Sequence, residues 1–170
     1  MRRIAIGLLL AFGPSGLDAQ TADTAEILTL VVEGLTRQRE RSDSLRATYC
    51  AARQSACPPR SPMPPETWYV EENLGLATML AERLGVSAKH AGVGTMPKCA
   101  WTQGVVANLQ GYATKLVLSI VADSSATVTL TRRCDNPSRR MGGEYWSEYT
   151  FSLRRDRGRW IIETMRIGVT

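Results

Sequence analysis

The sequence has a single histidine, His90, and no closely spaced pair of cysteines. Structural zinc sites and redox-active dithiols are both built on close pairs such as C-x-x-C. The four cysteines, Cys50, Cys57, Cys99 and Cys134, have no such spacing, and His90 could add only one nitrogen ligand. We therefore predict neither a metal site, nor a redox dithiol, nor any other cofactor.

Patterns that carry catalysis or bind phosphate are also missing. No nucleophile pattern accompanies His90, and the Gly92-x-Gly94 pair is too short for a phosphate-binding loop. The sequence favours a protein that is not an enzyme and has no specific affinity for nucleic acid. If it is an enzyme, His90, Glu148 and Glu163 are the groups to test first, because His90 is the single histidine and both glutamates fall within predicted strands.

The chain lacks an apolar run long enough to span a membrane, but it begins like an exported protein. Met1-Arg2-Arg3 precedes a short apolar run at 4–12, a break at Gly13-Pro14 and a small residue, Ala19. This order is that of a secretory signal peptide, and a buried N-terminal helix is the alternative. We predict cleavage after Ala19 and a periplasmic or secreted protein with no transmembrane segment in its mature chain.

Export predicts that the four cysteines form disulfides, because thiols are oxidised in that compartment and an even number of them can all pair. Of the three pairings that are open, the sequence favours Cys50–Cys57 and Cys99–Cys134. The first closes a short loop before a proline run. The second ties the segment that enters the predicted sheet to the end of its second long strand.

The first half of the mature chain is predicted to be mainly helical. A capping-box pattern at Asp23 begins a helix that runs to about Glu40, and Ser42-Asp43-Ser44 caps a second, short helix through Arg53. Residues 58–67 are a proline-rich connection, since so many prolines fit neither a helix nor a central strand. A third helix follows at 74–84 and ends at Gly85.

The second half is predicted to form an antiparallel sheet. Strands are expected at 98–106, 111–121, 126–131, 144–154 and 159–169, with a hairpin turn at 155–158 in which Gly158 supplies a positive φ. The predicted fold is α+β: N-terminal helices packed on a curved antiparallel sheet of four to six strands. The predicted organisation is a leader at 1–19 and one domain at 20–170, made of a helical part (20–57), the proline-rich connection, a helix and loop (68–97) and the sheet (98–170).

The end of the chain resembles the nuclear transport factor two-like superfamily, whose members wrap a curved sheet around helices. The resemblance rests on the strand Tyr149-Thr150-Phe151-Ser152-Leu153, the charged turn from Arg155 to Gly158, and the tryptophan-led strand Arg159-Trp160-Ile161-Ile162. It covers roughly the C-terminal third, and the proline connection and cystines depart from it. The superfamily includes isomerase-like and cyclase-like enzymes beside many non-catalytic members, and no catalytic set of theirs maps onto this chain.

Three hypotheses for function follow. The first is an exported binding domain for a small apolar ligand or an envelope protein, with a pocket lined by aromatic residues: Trp101, Tyr145, Tyr149, Phe151 and Trp160. The second is a small isomerase, cyclase or hydrolase. The third is binding of anionic surfaces through arginines near strand ends: Arg132, Arg133, Arg139, Arg140, Arg155 and Arg157.

Overall fold

The first element of the fold is one long helix. The computed structural model describes residues 16–52, 66–70, 75–91, 96–99, 111–121, 124–136 and 143–169. Helix α1 spans Gly16–Ala52 without interruption, so the predicted boundary at Ser42-Asp43-Ser44 was wrong. Serine and aspartate lower helix stability by less than about 1 kcal/mol each, and no glycine or proline is present there to stop the helix.

Two short strands and the second helix form a parallel unit. Strand β1 spans Thr67–Val70, helix α2 spans Leu76–Arg83 and strand β2 spans Ser87–His90. Strand β1 pairs in parallel with both β2 and β3. The sheet is therefore mixed, because a helical connection between neighbouring strands brings them together in parallel. Gly85, with φ of 67°, follows α2 as predicted.

The remaining four strands form an antiparallel meander. They are β3 at Tyr112–Val121, β4 at Ser125–Asp135, β5 at Glu144–Asp156 and β6 at Arg159–Val169. The six-stranded sheet is open, with the order β2-β1-β3-β4-β5-β6. Arg157 and Gly158 both have positive φ, at 49° and 82°, in the predicted hairpin between β5 and β6. Of the strand predicted at 98–106, Lys98 makes an isolated bridge to Asp135, and residues 100–110 lie outside the described ranges.

Both helices pack on one face of the sheet, and the α+β prediction is confirmed. The centre of this face is filled by apolar side chains of neighbouring strands: Val128, Leu130, Phe151 and Leu153, none more than 2% exposed. Ile27, Leu28 and Val31 of α1 and Leu80 of α2 complete the core. The alternation predicted from the sequence places Leu116 in the same core, with Leu118 and Ile120 packed against it at its margin.

A disulfide joins Cys99 to Cys134, as predicted, and both residues are fully buried. Backbone bonds support it, since Cys99 N–H donates to Asp135 O at 2.9 Å and Asp135 N–H donates to Pro97 O at 2.8 Å. Cys50 is also disulfide-bonded, and its predicted partner Cys57 lies outside the described residues. Among the described residues, no helix has both the length and the apolar content to cross a membrane.

Candidate functional site

The three groups named for a catalytic role lie on different strands. His90 is exposed at the end of β2, on one edge of the sheet. Glu148 is half-buried on β5, where it accepts a hydrogen bond from Thr150, and Glu163 is exposed on β6 and pairs with Arg154 at 3.4 Å. Four strand spacings separate β2 from β5, which is about 19 Å. The fold does not bring His90 together with either glutamate.

The predicted aromatic pocket divides into core and site residues. Phe151 and Trp160 are 0% and 2% exposed. The backbone N–H of Trp160 also helps to hold α1, because it donates to Glu26 Oε1 at 3.2 Å. Tyr145 and Tyr149 are only half-buried, and Trp101 lies outside the described residues. Two of the five predicted residues therefore remain available for contact with a ligand.

The arginines predicted to form an anionic-surface patch are spread over the sheet. Arg132 is on the helix side, and Arg133, the next residue along the strand, points to the opposite side. Arg155 lies at the other end of β5, about 30 Å from Arg133, and Arg157 follows it in the hairpin turn. Arg139 and Arg140 fall outside the described ranges. Of the arginines that the structure describes, Arg155 pairs with Asp23 and Arg133 with Glu144.

Arg132 is the centre of a group that we call the arginine–tyrosine cluster: Glu66, Trp68, Tyr112, Arg132, Tyr145, Ser147 and Tyr149. Arg132 Nη1 donates to Glu66 Oε1 at 2.9 Å, and Nη2 donates to Tyr149 Oη at 2.8 Å. Its guanidinium carbon lies 5.0 Å from the ring centre of Tyr112 and 5.1 Å from that of Tyr149. The arginine is thus held by both a carboxylate and two aromatic rings, and its side chain is only 17% exposed.

Contacts among its other members tie the cluster to β1 and to neighbouring strands of the sheet. Trp68 Nε1 on β1 donates to the same Glu66 oxygen at 2.7 Å. The rings of Tyr112 and Tyr145 are 6.2 Å apart at their centres and tilted by 53°. Strands β1, β3, β4 and β5 therefore each contribute a side chain, so the cluster depends on the assembled sheet.

Two buried donors in the cluster have no hydrogen-bond partner among the residues that the structure describes. They are Arg132 Nε and Ser147 Oγ, and the two residues lie directly opposite each other on β4 and β5. Ser147 is 0% exposed. A buried polar group without a partner costs about 1–3 kcal/mol, so each of these two donors opposes folding unless something bonds to it.

Ser147 is also the small member of a row of large residues. Tyr145, Ser147 and Tyr149 alternate along β5 and share its helix-facing side. Across the pairing with β6, Val169 lies opposite Ser147 and Ile167 lies opposite Tyr149. Val169 is 58% exposed and Ile167 is 40% exposed. Apolar surface that is open to solvent thus adjoins the two unpartnered donors.

Arg132 keeps its positive charge over the ordinary pH range. Burial lowers the pKa of Arg132, but attraction to Tyr149, Glu66 and Tyr112 outweighs it and raises the pKa above the usual arginine value. Burial raises the pKa of Tyr112 well above that of an ordinary tyrosine; Arg132 opposes this rise and Glu66 adds to it. Arg132 is therefore a permanent cation beside the Glu66 carboxylate.

Tyr112→Phe is expected to make the protein less sensitive to alkali. Because the pKa of Tyr112 is higher in the folded state, the unfolded chain loses this proton first, and stability falls as pH rises above about 10. The contribution of this group reaches about 1.4 kcal/mol per pH unit. Urea unfolding at several pH values between 9 and 12 measures how steeply the free energy of unfolding falls with pH in the wild type and in the variant. The difference in free energy of unfolding between the two proteins at pH 7 serves as the reference. Equal slopes would show that Tyr112 ionises as readily in the fold as in the unfolded chain.

Comparison with known proteins returns nothing for this chain. No family model matches it, and no match is found among curated proteins or among solved structures.

Sequence reasoning missed most of the cluster, and one signal could have revealed it. Arg132 follows Val128 and Leu130 at the same two-residue spacing, so the alternation already placed it on the buried side of β4. Ser147 sits in the same phase between two tyrosines. A charged residue in phase with core residues indicates a buried pair. Glu66 and Tyr112 carry no comparable signal, because pairing between distant strands brings them to Arg132.

Proposed function

We propose that this protein is an exported, disulfide-stabilised and non-catalytic binding domain that holds a small apolar ligand at the arginine–tyrosine cluster. The observation that carries the proposal is the pair of unpartnered donors, Arg132 Nε and Ser147 Oγ, side by side beneath half-buried tyrosines. A ligand oxygen that accepts from both donors would remove their cost. Because both donors are buried, binding requires Tyr145 or Tyr149 to move aside.

The chemistry of the cluster favours a neutral ligand with one acceptor oxygen. Glu66 already neutralises Arg132, so a carboxylate would add an uncompensated negative charge. A carbonyl group needs only donors, which the site supplies. Exposed Ile167 and Val169 favour an apolar body next to that carbonyl group.

Three further features support the proposal. The leader predicted at 1–19 and the disulfide between Cys99 and Cys134 are both features expected of an exported protein. The resemblance of the C-terminal third to the nuclear transport factor two-like superfamily, which has many non-catalytic members, favours a binding role. The centre of the helix-facing side is filled with apolar residues, which favours binding at the margin over catalysis in a deep pocket.

Ser147→Ala is expected to abolish ligand binding while leaving the empty protein as stable or up to about 1 kcal/mol more stable. The change removes a buried hydroxyl that has no partner, so folding loses nothing when the site is empty. The probes are acetophenone and ethylbenzene, which differ by a carbonyl oxygen. Thermal unfolding of the wild type is expected to shift upward with acetophenone and much less with ethylbenzene.

The matched control is Ser119→Ala on the opposite face of β3, where the serine is exposed. This variant should respond to acetophenone as the wild type does. Equal shifts with both probes, or an unchanged response in Ser147→Ala, would contradict the assignment of the two donors. A loss of stability in Ser147→Ala without ligand would show that its hydroxyl serves the fold instead.

Export is tested separately by expressing the full chain in a bacterial host that secretes proteins. Mass spectrometry of the periplasmic fraction is expected to find a chain beginning at Gln20. An intact leader on a cytoplasmic protein would contradict the export part of the proposal and leave the binding part to its own test.

A further inference from the structure

A second candidate site lies on the face of the sheet opposite the helices. It is an open cleft of about 290 Å³, lined by residues of β3, β4 and β5: Ala113, Thr114, Lys115, Thr131, Arg133 and Trp146. The strand register explains it, since Ala113 pairs with Arg133 and Arg133 with Trp146, while Lys115 pairs with Thr131. Ala113 is the small residue among these long side chains, so the space above it stays open.

Trp146 forms one wall of the cleft in a fixed position. Its ring carbons Cζ3 and Cη2 lie 3.1 and 3.2 Å from the point that a Cβ atom of Gly168 would occupy. The indole therefore lies against the backbone of β6, and it can do so because Gly168 has no side chain. The ring is half-buried, so one part is held by the sheet and the rest is available to a ligand.

Polar groups around the cleft supply donors and acceptors together. Lys115 and Arg133 are exposed cations, and Thr131 adds a hydroxyl. Glu144 lies 3.4 Å from Arg133, and Glu148 is the partner of Thr131 across the strand pairing. Two positive and two negative side chains cancel, which gives a simple anion little net attraction. A ligand with many hydroxyl groups can both donate and accept, and therefore uses the whole set.

We propose that this cleft binds a single sugar ring, with one face of the ring stacked on Trp146 and its hydroxyls bonded to Lys115, Thr131 and Arg133. The C–H groups of a sugar face are apolar enough to pack on indole, while its rim is polar. Pockets for drug-sized ligands start at about 300 Å³, so the cleft suits one ring and not an extended chain. The site lies on the opposite face from the arginine–tyrosine cluster and does not depend on it.

Saturation-transfer NMR with methyl β-glucopyranoside and with N-acetylglucosamine, each at millimolar concentration, tests the proposal on the disulfide-bonded protein. Sugar-ring protons are expected to receive saturation from the wild type. Trp146→Ala is expected to weaken binding about tenfold through loss of the stacking surface, whereas Trp146→Phe keeps an aromatic face and should stay within about threefold.

Two further variants test whether the position of Trp146 decides sugar binding, and one further probe tests whether the cleft prefers an aromatic anion. Gly168→Ala should weaken sugar binding while the protein stays folded, because the added methyl group displaces the indole. Val121→Ala, at the exposed far end of β3 on the same face, should bind as the wild type does. Sugar signals that are equal in the wild type and Trp146→Ala would overturn the proposal. So would binding of benzoate without binding of either sugar, which would assign the cleft to an aromatic anion.

Discussion

Replacing both Cys99 and Cys134 by alanine is expected to lower the free energy of unfolding by about 4 kcal/mol. The bridge spans 35 residues, and the chain-entropy model gives about this value for a loop of that length. Small domains are stable by only about 5–15 kcal/mol. The loss therefore consumes a large share of the total, and urea unfolding of the two proteins at 25 °C measures it.

Removing the bridge is also expected to loosen the local structure around it. Cys99 and Asp135 are joined by a backbone hydrogen bond, Asp135 also bonds to Pro97, and Lys98 pairs with the Asp135 side chain. Without the disulfide, these bonds still hold residues 97–99 against the end of β4, but without a covalent link. In the variant with alanine at positions 99 and 134, hydrogen exchange of the backbone amides of residues 99 and 135 is expected to become faster. The amides at the centre of β4 are expected to keep their protection.

A reductant control distinguishes this bridge from the one at Cys50. Dithiothreitol should destabilise the wild type by more than the double alanine variant, because the variant has only the Cys50 bridge left to lose. If the double variant unfolds at the same urea concentration as the wild type, the Cys99–Cys134 bridge contributes nothing and the chain-entropy argument fails for this loop.

The antiparallel part of the fold was predictable because its signals are local. Leu116, Leu118 and Ile120 alternate along one strand and Val128 and Leu130 along the next, and the Arg157-Gly158 turn fixes the last hairpin. Strands β1 and β2 are four residues each, too short for alternation to specify a partner. Their parallel pairing is set by the packing of α2, which no local pattern encodes.

The candidate site was less predictable because it is assembled from distant parts of the chain. Glu66 and Arg132 are 66 residues apart, yet they form the ion pair on which the cluster is built. The aromatic residues chosen from the sequence were of the right type, but burial divides them: Phe151 is core and Tyr149 is part of the cluster. Composition gives the kind of residue, and the assembled sheet decides which of them meet.

The contact between α1 and the sheet depends on the absence of a side chain at Gly34. A Cβ atom there would lie 2.8 Å from Phe151 Cε1 and 3.3 Å from Ile162 Cδ1. Phe151 is fully buried and pairs with the fully buried Val128, so its ring has little room to yield. Glycine lowers helix stability by about 1 kcal/mol relative to alanine. The close approach of helix and sheet explains why glycine is nevertheless present at position 34.

Gly34→Leu is expected to lower the free energy of unfolding by about 3 kcal/mol, because overpacking outweighs the gain in helix propensity. Phe151→Ala alone should cost about 3–5 kcal/mol by leaving a cavity. In the double variant the leucine fills the space of the missing ring, so the combined loss is expected to be smaller than the sum by at least about 1 kcal/mol. Urea unfolding of the four proteins measures this coupling.

Ser44→Leu, at an exposed position on the same helix, should change stability by less than about 0.5 kcal/mol. Strictly additive losses at Gly34 and Phe151 would mean that the helix does not rest on this ring. Coupling of the expected sign would instead show that α1 packs directly on Phe151 of β5. That contact belongs to the filled core, and the arginine–tyrosine cluster lies beyond it at the open margin of the same face.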